Sequence, residues 1–162
     1  MKKSSKIPET ATLDQALEPS SGRRDPIPSG PRRIFTVLDG VRILYVQDAI
    51  YSDVRVGSIA HVASFWQFRY SEWKKAYQIV LVPTNMVMTA IADRVEAREN
   101  HEEEDQFWTV IADKDDNVSI KYPSSDFYFT AHELIPGEDA YILLTGPTGR
   151  KNQTFRIGAD SA

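Results

Sequence analysis

The chain changes character at residue 33, and this change constrains its folding more than any motif does. Residues 1–33 contain five of the nine prolines in the 162-residue sequence and almost no large apolar residues. The exceptions are Ile7, Leu13, Leu17 and Ile27. A segment of this kind cannot bury enough apolar surface to offset the conformational entropy lost on ordering. We therefore predict a disordered arm over residues 1–33 and a single globular domain over residues 34–162.

The two parts also differ in charge. The arm has seven Lys and Arg residues against four Asp and Glu residues, a net charge of +3, which leaves −7 for the rest of a chain whose total is −4. A basic arm on an acidic body favours contact with an anionic partner or with the body of another copy. The basic residues predicted to make these contacts are Lys2, Lys3, Lys6, Arg23, Arg24, Arg32 and Arg33.

The composition narrows the chemistry that the chain can perform. There are no cysteines and three histidines, so disulfides, cysteine-based zinc sites and thiol nucleophiles are excluded. No spacing of Ser, His and acidic residues pairs a nucleophile with a base. The acidic run 101–105 is typical of a solvated loop. We predict a protein that is not an enzyme, with no catalytic residue, no metal site, no cofactor and no small-molecule substrate.

The first half of the body combines a hairpin pattern with two helix patterns. Residues 34–38 and 41–46 are apolar runs on either side of Asp39-Gly40, a pair that favours a tight hairpin turn. From Ser58 to Tyr77 apolar residues recur every three or four positions, which predicts an amphipathic helix, although Trp66, Phe68 and Tyr70 also alternate as in a strand. A second helix is predicted after Thr84 and Asn85, which can cap its first turn.

The second half has the period of two that is typical of strands. Turn residues separate five such segments. The predicted strands are Phe107–Ala112, Val118–Tyr122, Phe127–Leu134, Ala140–Thr145 and Gln153–Ile157. A hairpin, helices and then a meander predict an α+β fold, in which an antiparallel β-sheet packs on one or two helices behind the disordered basic arm.

A dense group of aromatic residues lies within the first predicted helix. Trp66, Tyr70 and Trp73 are interleaved with Arg69, Lys74 and Lys75. Their spacing favours burial of most of the rings, with a few exposed at a protein interface. The same rings and cations could instead stack on single-stranded nucleic acid. Trp66, Tyr70 and Trp73 are therefore the predicted interface or stacking residues.

The order of several short segments resembles the matrix proteins of rhabdoviruses. The resemblance covers roughly residues 33–82. The segments that carry it are Phe35-Thr36-Val37, Val41-Arg42, Tyr51-Ser52-Asp53-Val54, a helix containing His61, and Tyr77-Gln78-Ile79-Val80-Leu81. The short chain, which lacks a Pro-Pro-x-Tyr motif, is similar to a plant-virus member of that family.

The resemblance implies a viral structural protein of the virion. Matrix proteins self-associate, condense the viral ribonucleoprotein and tether it to the inner leaflet of the membrane. In this chain, the basic arm would supply the contact with ribonucleoprotein and with an anionic membrane surface. An arm that docks on the body of the next copy would allow the protein to form a lattice.

The expected location follows from the same resemblance and from two absences in the sequence. No apolar run approaches the roughly 20 residues that cross a bilayer, and no apolar stretch follows the lysines near the N-terminus. We therefore expect no transmembrane segment and no signal peptide, with the protein in the virion and host cytoplasm, peripheral to the inner face of membranes. The alternatives are a nucleic-acid-binding module that uses the aromatic helix and the arm, or a small non-catalytic adaptor domain.

Overall fold

The computed structural model describes Ala16 and residues 27–38, 40–47, 53–58, 63–132 and 140–161, without the side chains of residues 159–161. The described chain is built from twelve β-strands and two single-turn 3-10 helices. The strands are β1 (Arg32–Thr36), β2 (Ile43–Val46), β3 (Val54–Gly57), β4 (Trp66–Ser71), β5 (Ala76–Leu81), β6 (Met86–Ile91), β7 (Arg94–Arg98), β8 (Thr109–Ala112), β9 (Val118–Lys121), β10 (Tyr128–Ala131), β11 (Ala140–Thr145) and β12 (Phe155–Ser161). The 3-10 helices are Glu104–Gln106 and Lys151–Gln153. In the described part of the chain, no helix is long and apolar enough to cross a membrane.

Six of the strands close into a ring by antiparallel pairing. β1 pairs with β4, β4 with β5, β8 with β9, β9 with β12, and β12 with β1. The remaining junction is a bridge between Tyr77 at the start of β5 and Trp108 just before β8, with two backbone hydrogen bonds of 2.8 Å. A ring of this kind is a closed barrel, which leaves few unpaired strand edges.

The other six strands form three hairpins, β2–β3, β6–β7 and β10–β11, that are joined to one another. β11 pairs with both β3 and β7, and a bridge between Asp53 and Glu96 connects β3 to β7. Each hairpin therefore contacts the other two. Together the three hairpins form a cap, which is the name used below for this part of the molecule.

The chain is organised as three successive four-strand units, β1–β4, β5–β8 and β9–β12. Ile34, Ile79 and Ile120 lie at equivalent positions of the first strand in each unit and are completely buried. Leu44, Met88 and Phe129 are equivalent in the second strands and are also completely buried. The equivalent aromatic residues at the start of the fourth strands or just before them, all buried, are Trp66, Trp108 and Phe155. The core is thus one apolar set repeated three times.

The predicted α+β fold is wrong, because strands stand where both helices were expected. Most of the segment expected to be a helix, from Ser58 to Tyr77, belongs to the hairpin of β4 and β5. In this hairpin Trp66 faces Leu81 and Ser71 faces Ala76. Residues 59–62 lie outside the described part of the chain. The side chains of Phe68 and Tyr70 pack against the core on the same side as Trp66. The alternation of Trp66, Phe68 and Tyr70 with a period of two is therefore the pattern that indicates the strand.

The second predicted helix is also a hairpin. Thr84 and Asn85 do not cap a helix but form the turn between β5 and β6, where Asn85 adopts a φ of 66°. Thr84 supports that turn with its hydroxyl, which donates to the Leu81 carbonyl at 3.1 Å. Val87 and Val95, which follow these capping residues in the sequence, lie in the paired strands β6 and β7.

The strand predictions agree better with the structure. β1 and β2 pair as the predicted hairpin, with Phe35 opposite Ile43 and Gly40 at a φ of 72°. The five segments predicted after residue 106 are β8 to β12. The meander continues through β11, but β12 pairs with β9 and β1 instead of β11. That pairing closes the barrel.

Candidate functional site

A buried glutamine anchors the connection between the second hairpin and the barrel. Gln106 ends a 3-10 turn two residues before Trp108 and is almost fully buried. Its side-chain amide donates to the Glu99 carbonyl at 2.7 Å and to the Thr89 hydroxyl at 3.2 Å, and its oxygen accepts from the His101 amide at 2.8 Å. Since buried amides are costly when unpaired, these bonds fix the path of residues 99–106.

The third unit repeats this arrangement. Gln153 also ends a 3-10 turn two residues before the barrel aromatic, and its amide donates to the Gly146 carbonyl at 2.8 Å and to the Thr130 hydroxyl at 3.0 Å. The first unit has Ser64 at this position, whose hydroxyl accepts a long bond of 3.4 Å from Arg33. Glutamine therefore holds the connections that lead into β8 and β12, whereas the connection that leads into β4 has Ser64 in its place.

A surface cleft with a volume of about 250 Å³ opens beside the Gln106 turn. Its walls come from three parts of the barrel: the turn between β4 and β5, the 3-10 turn before β8, and the segment after β9. The lining residues are Lys74, Glu104, Asp105, Phe107, Tyr122, Pro123 and Ser124. This volume is just below the roughly 300–1,000 Å³ of sites that hold drug-sized ligands, so the cleft fits one small ring.

Two aromatic residues give the cleft apolar surface. Phe107 is 4% exposed and forms part of the floor, and the Lys74 ammonium lies 5.5 Å from the centre of its ring. This distance is within the range of a cation–π contact. Tyr122 is half-buried, and its ring packs 5.2 Å from the ring of Trp108, which is fully buried. The half-buried ring of Tyr122 is thus packed against the core.

The charge of the cleft is negative. Glu104 and Asp105 supply two carboxylates against the single ammonium of Lys74. Burial, followed by the nearby carboxylates of Asp105 and Glu104, raises the pKa of the Tyr122 hydroxyl above its ordinary value of 10.0. At neutral pH this hydroxyl is therefore protonated and able to donate a hydrogen bond. The cleft combines acceptors, a donor and an aromatic surface.

The most exposed large apolar side chain in the described part of the chain lies next to this cleft in sequence. Trp73 is 88% exposed in the turn between β4 and β5. The turn is held by Ser71, whose carbonyl accepts from the Lys75 amide at 2.8 Å and whose hydroxyl accepts from the Lys74 amide at 3.1 Å. Trp73 is therefore presented to solvent on an ordered turn.

The predicted aromatic site residues do not form one surface. Trp66 is completely buried, and its indole donates to the Leu44 carbonyl at 3.0 Å. Tyr70 is half-buried and packs edge-on against Tyr77 at 5.1 Å. Of the three predicted interface residues, Trp73 alone is exposed. No helix brings them together, because they lie on a strand and a turn.

The predicted basic contacts fall in two groups. Lys2, Lys3, Lys6, Arg23 and Arg24 lie outside the described residues, so their predicted role stays a prediction. Arg32 and Arg33 lie in β1, where Arg32 donates to the Ser29 carbonyl at 2.8 and 3.0 Å. The Arg33 guanidinium lies 4.3 Å from the centre of the Phe65 ring. The division at residue 33 also stays a prediction, although β1 begins at Arg32 and Ile27 is buried against the core.

The barrel, the three-hairpin cap and the repeated core define the β-trefoil fold, and solved structures share it. A mosquitocidal holotoxin superposes with a TM-score of 0.71 at 18% identity, over 82% of this chain, which spans 16% of the toxin chain. A ricin B-like lectin from Macrolepiota procera in complex with lactose gives a TM-score of 0.66 at 15% identity, over 81% of this chain and 96% of the lectin. The Polyporus squamosus lectin, bound to Neu5Acα2-6Galβ1-4GlcNAc, gives 0.64 at 17% identity, over 80% of this chain and 48% of the lectin chain.

At these identities the similarity establishes the fold. No family model and no curated protein matches the sequence. The resemblance to rhabdovirus matrix proteins is wrong, since the structures that match are β-trefoil lectins and toxins. The predictions that depended on it, a virion structural function and binding to ribonucleoprotein or an anionic membrane, are wrong as well. The alternative of a nucleic-acid-binding module is not supported either.

Of the cleft residues, Lys74 alone was singled out in the sequence, as one of the cations next to the aromatic residues. Glu104 and Asp105 belong to the acidic run that was interpreted as a solvated loop, and Phe107 and Tyr122 were assigned only as strand residues. One signal was present: Gln106-Phe107-Trp108 and Gln153-Thr154-Phe155 share a glutamine two residues before an aromatic. This internal repeat marks equivalent turns and so points to the surface beside them.

Proposed function

We propose that this chain is a non-catalytic carbohydrate-binding module that holds a neutral saccharide in the cleft beside Gln106. The observation that carries the proposal is the presence of two carboxylates, a protonated tyrosine and aromatic surface in one small cleft. Two neighbours of the same fold were solved with bound saccharides, lactose in one case and a sialylated trisaccharide in the other. The fold that these neighbours share with this chain supports a saccharide as the ligand. The chemistry of the cleft supports the cleft as the place where the saccharide binds.

The chemistry of the cleft matches that of a sugar ring. Sugar hydroxyls donate hydrogen bonds well to carboxylates, and such charge-assisted bonds are stronger than neutral ones. The Asp105 and Glu104 carboxylates can therefore accept from ring hydroxyls, while the Tyr122 hydroxyl donates to a ring oxygen. The apolar face of the sugar packs on the Tyr122 ring, as apolar surface does on aromatic side chains.

The charge of the cleft selects among saccharides. A sialic acid carboxylate brought next to Glu104 and Asp105 meets like charge, which lowers affinity. A neutral hexose meets no such repulsion. The module therefore prefers lactose or N-acetylglucosamine over Neu5Acα2-6Galβ1-4GlcNAc, in contrast to the lectin that was solved with that trisaccharide.

The experiment is a titration of the full chain with these three saccharides by calorimetry or ligand-observed NMR. A site for a single ring predicts a dissociation constant near the millimolar range, which corresponds to about −4 kcal/mol. Asp105→Asn is expected to weaken binding by about tenfold or more, since a hydrogen bond to a charged group contributes about 1.5–3 kcal/mol. Glu103→Gln is the matched control, because Glu103 is exposed beside Glu104 and does not line the cleft.

Two results would contradict the proposal. One is the absence of saturable binding to any of the three saccharides by the folded chain. The other is binding that Asp105→Asn and Tyr122→Phe leave unchanged, because such binding would lie elsewhere on the surface.

A further inference from the structure

The cap carries a second cluster of polar residues, distinct from the cleft. Asp53 in the β2–β3 connection, Arg94 in β7 and Tyr141 in β11 occupy equivalent positions in the three units. The pairing shows this, since Asp53 faces Glu96, Arg94 faces Leu143 and Tyr141 faces Arg55. The three hairpins therefore bring three different side chains to the place where they meet.

Two arginines pack on one tyrosine in this cluster. The Arg94 guanidinium lies 4.0 Å from the centre of the Tyr141 ring, and the Arg55 guanidinium lies 4.9 Å from it. Both distances are those of cation–π contacts. Arg55 also donates from Nη2 to the Tyr141 hydroxyl at 3.4 Å. Both guanidinium groups therefore contact the same aromatic ring.

The arginines have more donors than the neighbouring groups can accept. Each guanidinium has five N–H donors. In the part of the chain that the structure describes, the one carboxylate paired with Arg94 is that of Asp53, at 3.8 Å, which is longer than a hydrogen bond. The Glu96 carboxylate is engaged by Arg98 at 2.6 Å. Among the described residues, Arg55 Nε is buried and has no hydrogen-bond partner.

An unpaired buried donor is unfavourable, and the cost is larger for a charged group. Buried polar groups in folded proteins are almost always paired, so an unpaired one indicates a partner such as water, an ion or a ligand. The Arg94 side chain is 42% exposed, so the cluster is open to solvent on that side. Arginine is the residue best suited to recognise planar or tetrahedral oxyanions, because its donors bind two oxygens at once.

We propose that Arg55 and Arg94, held on Tyr141, form a binding site for an oxyanion at the cap of the trefoil. The ligand is a carboxylate, sulfate or phosphate group, whether as a free anion or as a substituent on a saccharide. Within the described residues, Asp53 is the one carboxylate paired with either guanidinium group, so two positive charges stand against one negative charge there. This site does not depend on the cleft, which binds a neutral saccharide.

The first experiment titrates the full chain with inorganic sulfate against chloride at matched ionic strength. Arginine Nε–H signals in NMR spectra report the binding. Saturable shifts are expected at Arg55 and Arg94 in the wild type, and affinity is expected to fall at least tenfold in Arg94→Met and Arg55→Met. Arg98→Met is the matched control, since Arg98 is an exposed arginine of the same cap that is paired with Glu96.

The proposal is overturned if sulfate gives no saturable response beyond that of chloride, or if Arg98→Met weakens binding as much as Arg94→Met does. Should Arg55→Met fail to fold, Arg94→Met carries the test, because the Arg94 side chain is the more solvent-exposed of the two partners in its pair with Asp53. Circular dichroism of each variant confirms that it is folded.

A second set of titrations separates the sources of the anion. Glucose 6-sulfate, glucose 6-phosphate and glucuronate are compared with glucose and with the free anions. An acidic saccharide that binds at least tenfold more tightly than its free anion identifies a substituent on a sugar, whereas equal affinity identifies the free anion as the ligand. Failure of all the anions overturns the site and leaves neutral saccharide binding in the cleft untouched.

Discussion

Trp66 and Trp108 occupy the same position in two successive units of the fold, and each uses its indole nitrogen in the same way. Trp66 donates to the Leu44 carbonyl and Trp108 donates to the Met88 carbonyl, both at 3.0 Å. Both rings are completely buried. Because Leu44 and Met88 lie in the second strand of each unit, the bond ties the barrel to the hairpin that caps it. The third unit has Phe155 at this position, which fills the core without a donor.

Substitution of Trp108 by Phe is expected to destabilise the chain by about 2–4 kcal/mol. The change removes the bond to the Met88 carbonyl, which is then buried and unpaired, and it leaves a cavity where the larger ring was. Trp66→Phe is expected to give a similar loss. Urea unfolding measures both, and Trp73→Phe is the control, since an exposed ring is expected to change the free energy of unfolding by less than about 0.5 kcal/mol. Equal effects of all three substitutions would contradict this role.

Gln106→Leu and Gln153→Leu are expected to cost about 1–3 kcal/mol each. In both variants a backbone carbonyl and a backbone amide lose the buried glutamine side chain that pairs with them. The partner groups are the Glu99 carbonyl and His101 amide for Gln106, and the Gly146 carbonyl and Thr148 amide for Gln153. Hydrogen exchange at the His101 and Thr148 amides checks the mechanism: each should exchange faster in its own variant alone.

The raised pKa of Tyr122 predicts that the folded chain loses stability at alkaline pH. Burial and the two nearby carboxylates raise its pKa in the folded chain, so the folded state holds the proton to a higher pH than the unfolded state does. The stability from this group is complete below the unfolded pKa of about 10 and is lost as the pH rises through the folded pKa. Urea unfolding at pH 7 and above pH 10 should show a smaller alkaline loss for Tyr122→Phe than for the wild type. An alkaline loss in Tyr122→Phe as large as that of the wild type would contradict this role of the Tyr122 hydroxyl.

The strand content of the second half could be predicted from the sequence because each strand there is short, alternating and followed by turn residues. Ile120 and Ile142 illustrate this pattern, since each is buried between half-buried neighbours. The first half was misassigned because Trp66, Tyr70, Trp73 and Tyr77 have helical spacing. These residues come from β4, a turn and β5, so their spacing reflects a hairpin whose turn places apolar residues three or four positions apart.

The site could not be predicted because it joins distant parts of the chain. Lys74, Asp105 and Tyr122 come from three separate connections, and only closure of the barrel brings them together. The internal repeat was the accessible signal, with Ile34, Ile79 and Ile120 recurring at a period of roughly 40 residues, within the range typical of repeated units. Its detection would have indicated the three-fold architecture but not which of the three surfaces carries the charged cleft.

The most direct test of carbohydrate binding is a map of backbone amide shifts in the full chain during titration with lactose. Saturable changes are expected to centre on the amides of Lys74, Asp105, Phe107 and Tyr122. Asp105→Asn is expected to weaken lactose binding about tenfold or more, whereas Glu103→Gln is expected to leave it unchanged. Changes centred on the equivalent turns of the first or third unit, or no saturable changes up to high millimolar lactose and N-acetylglucosamine, would contradict it.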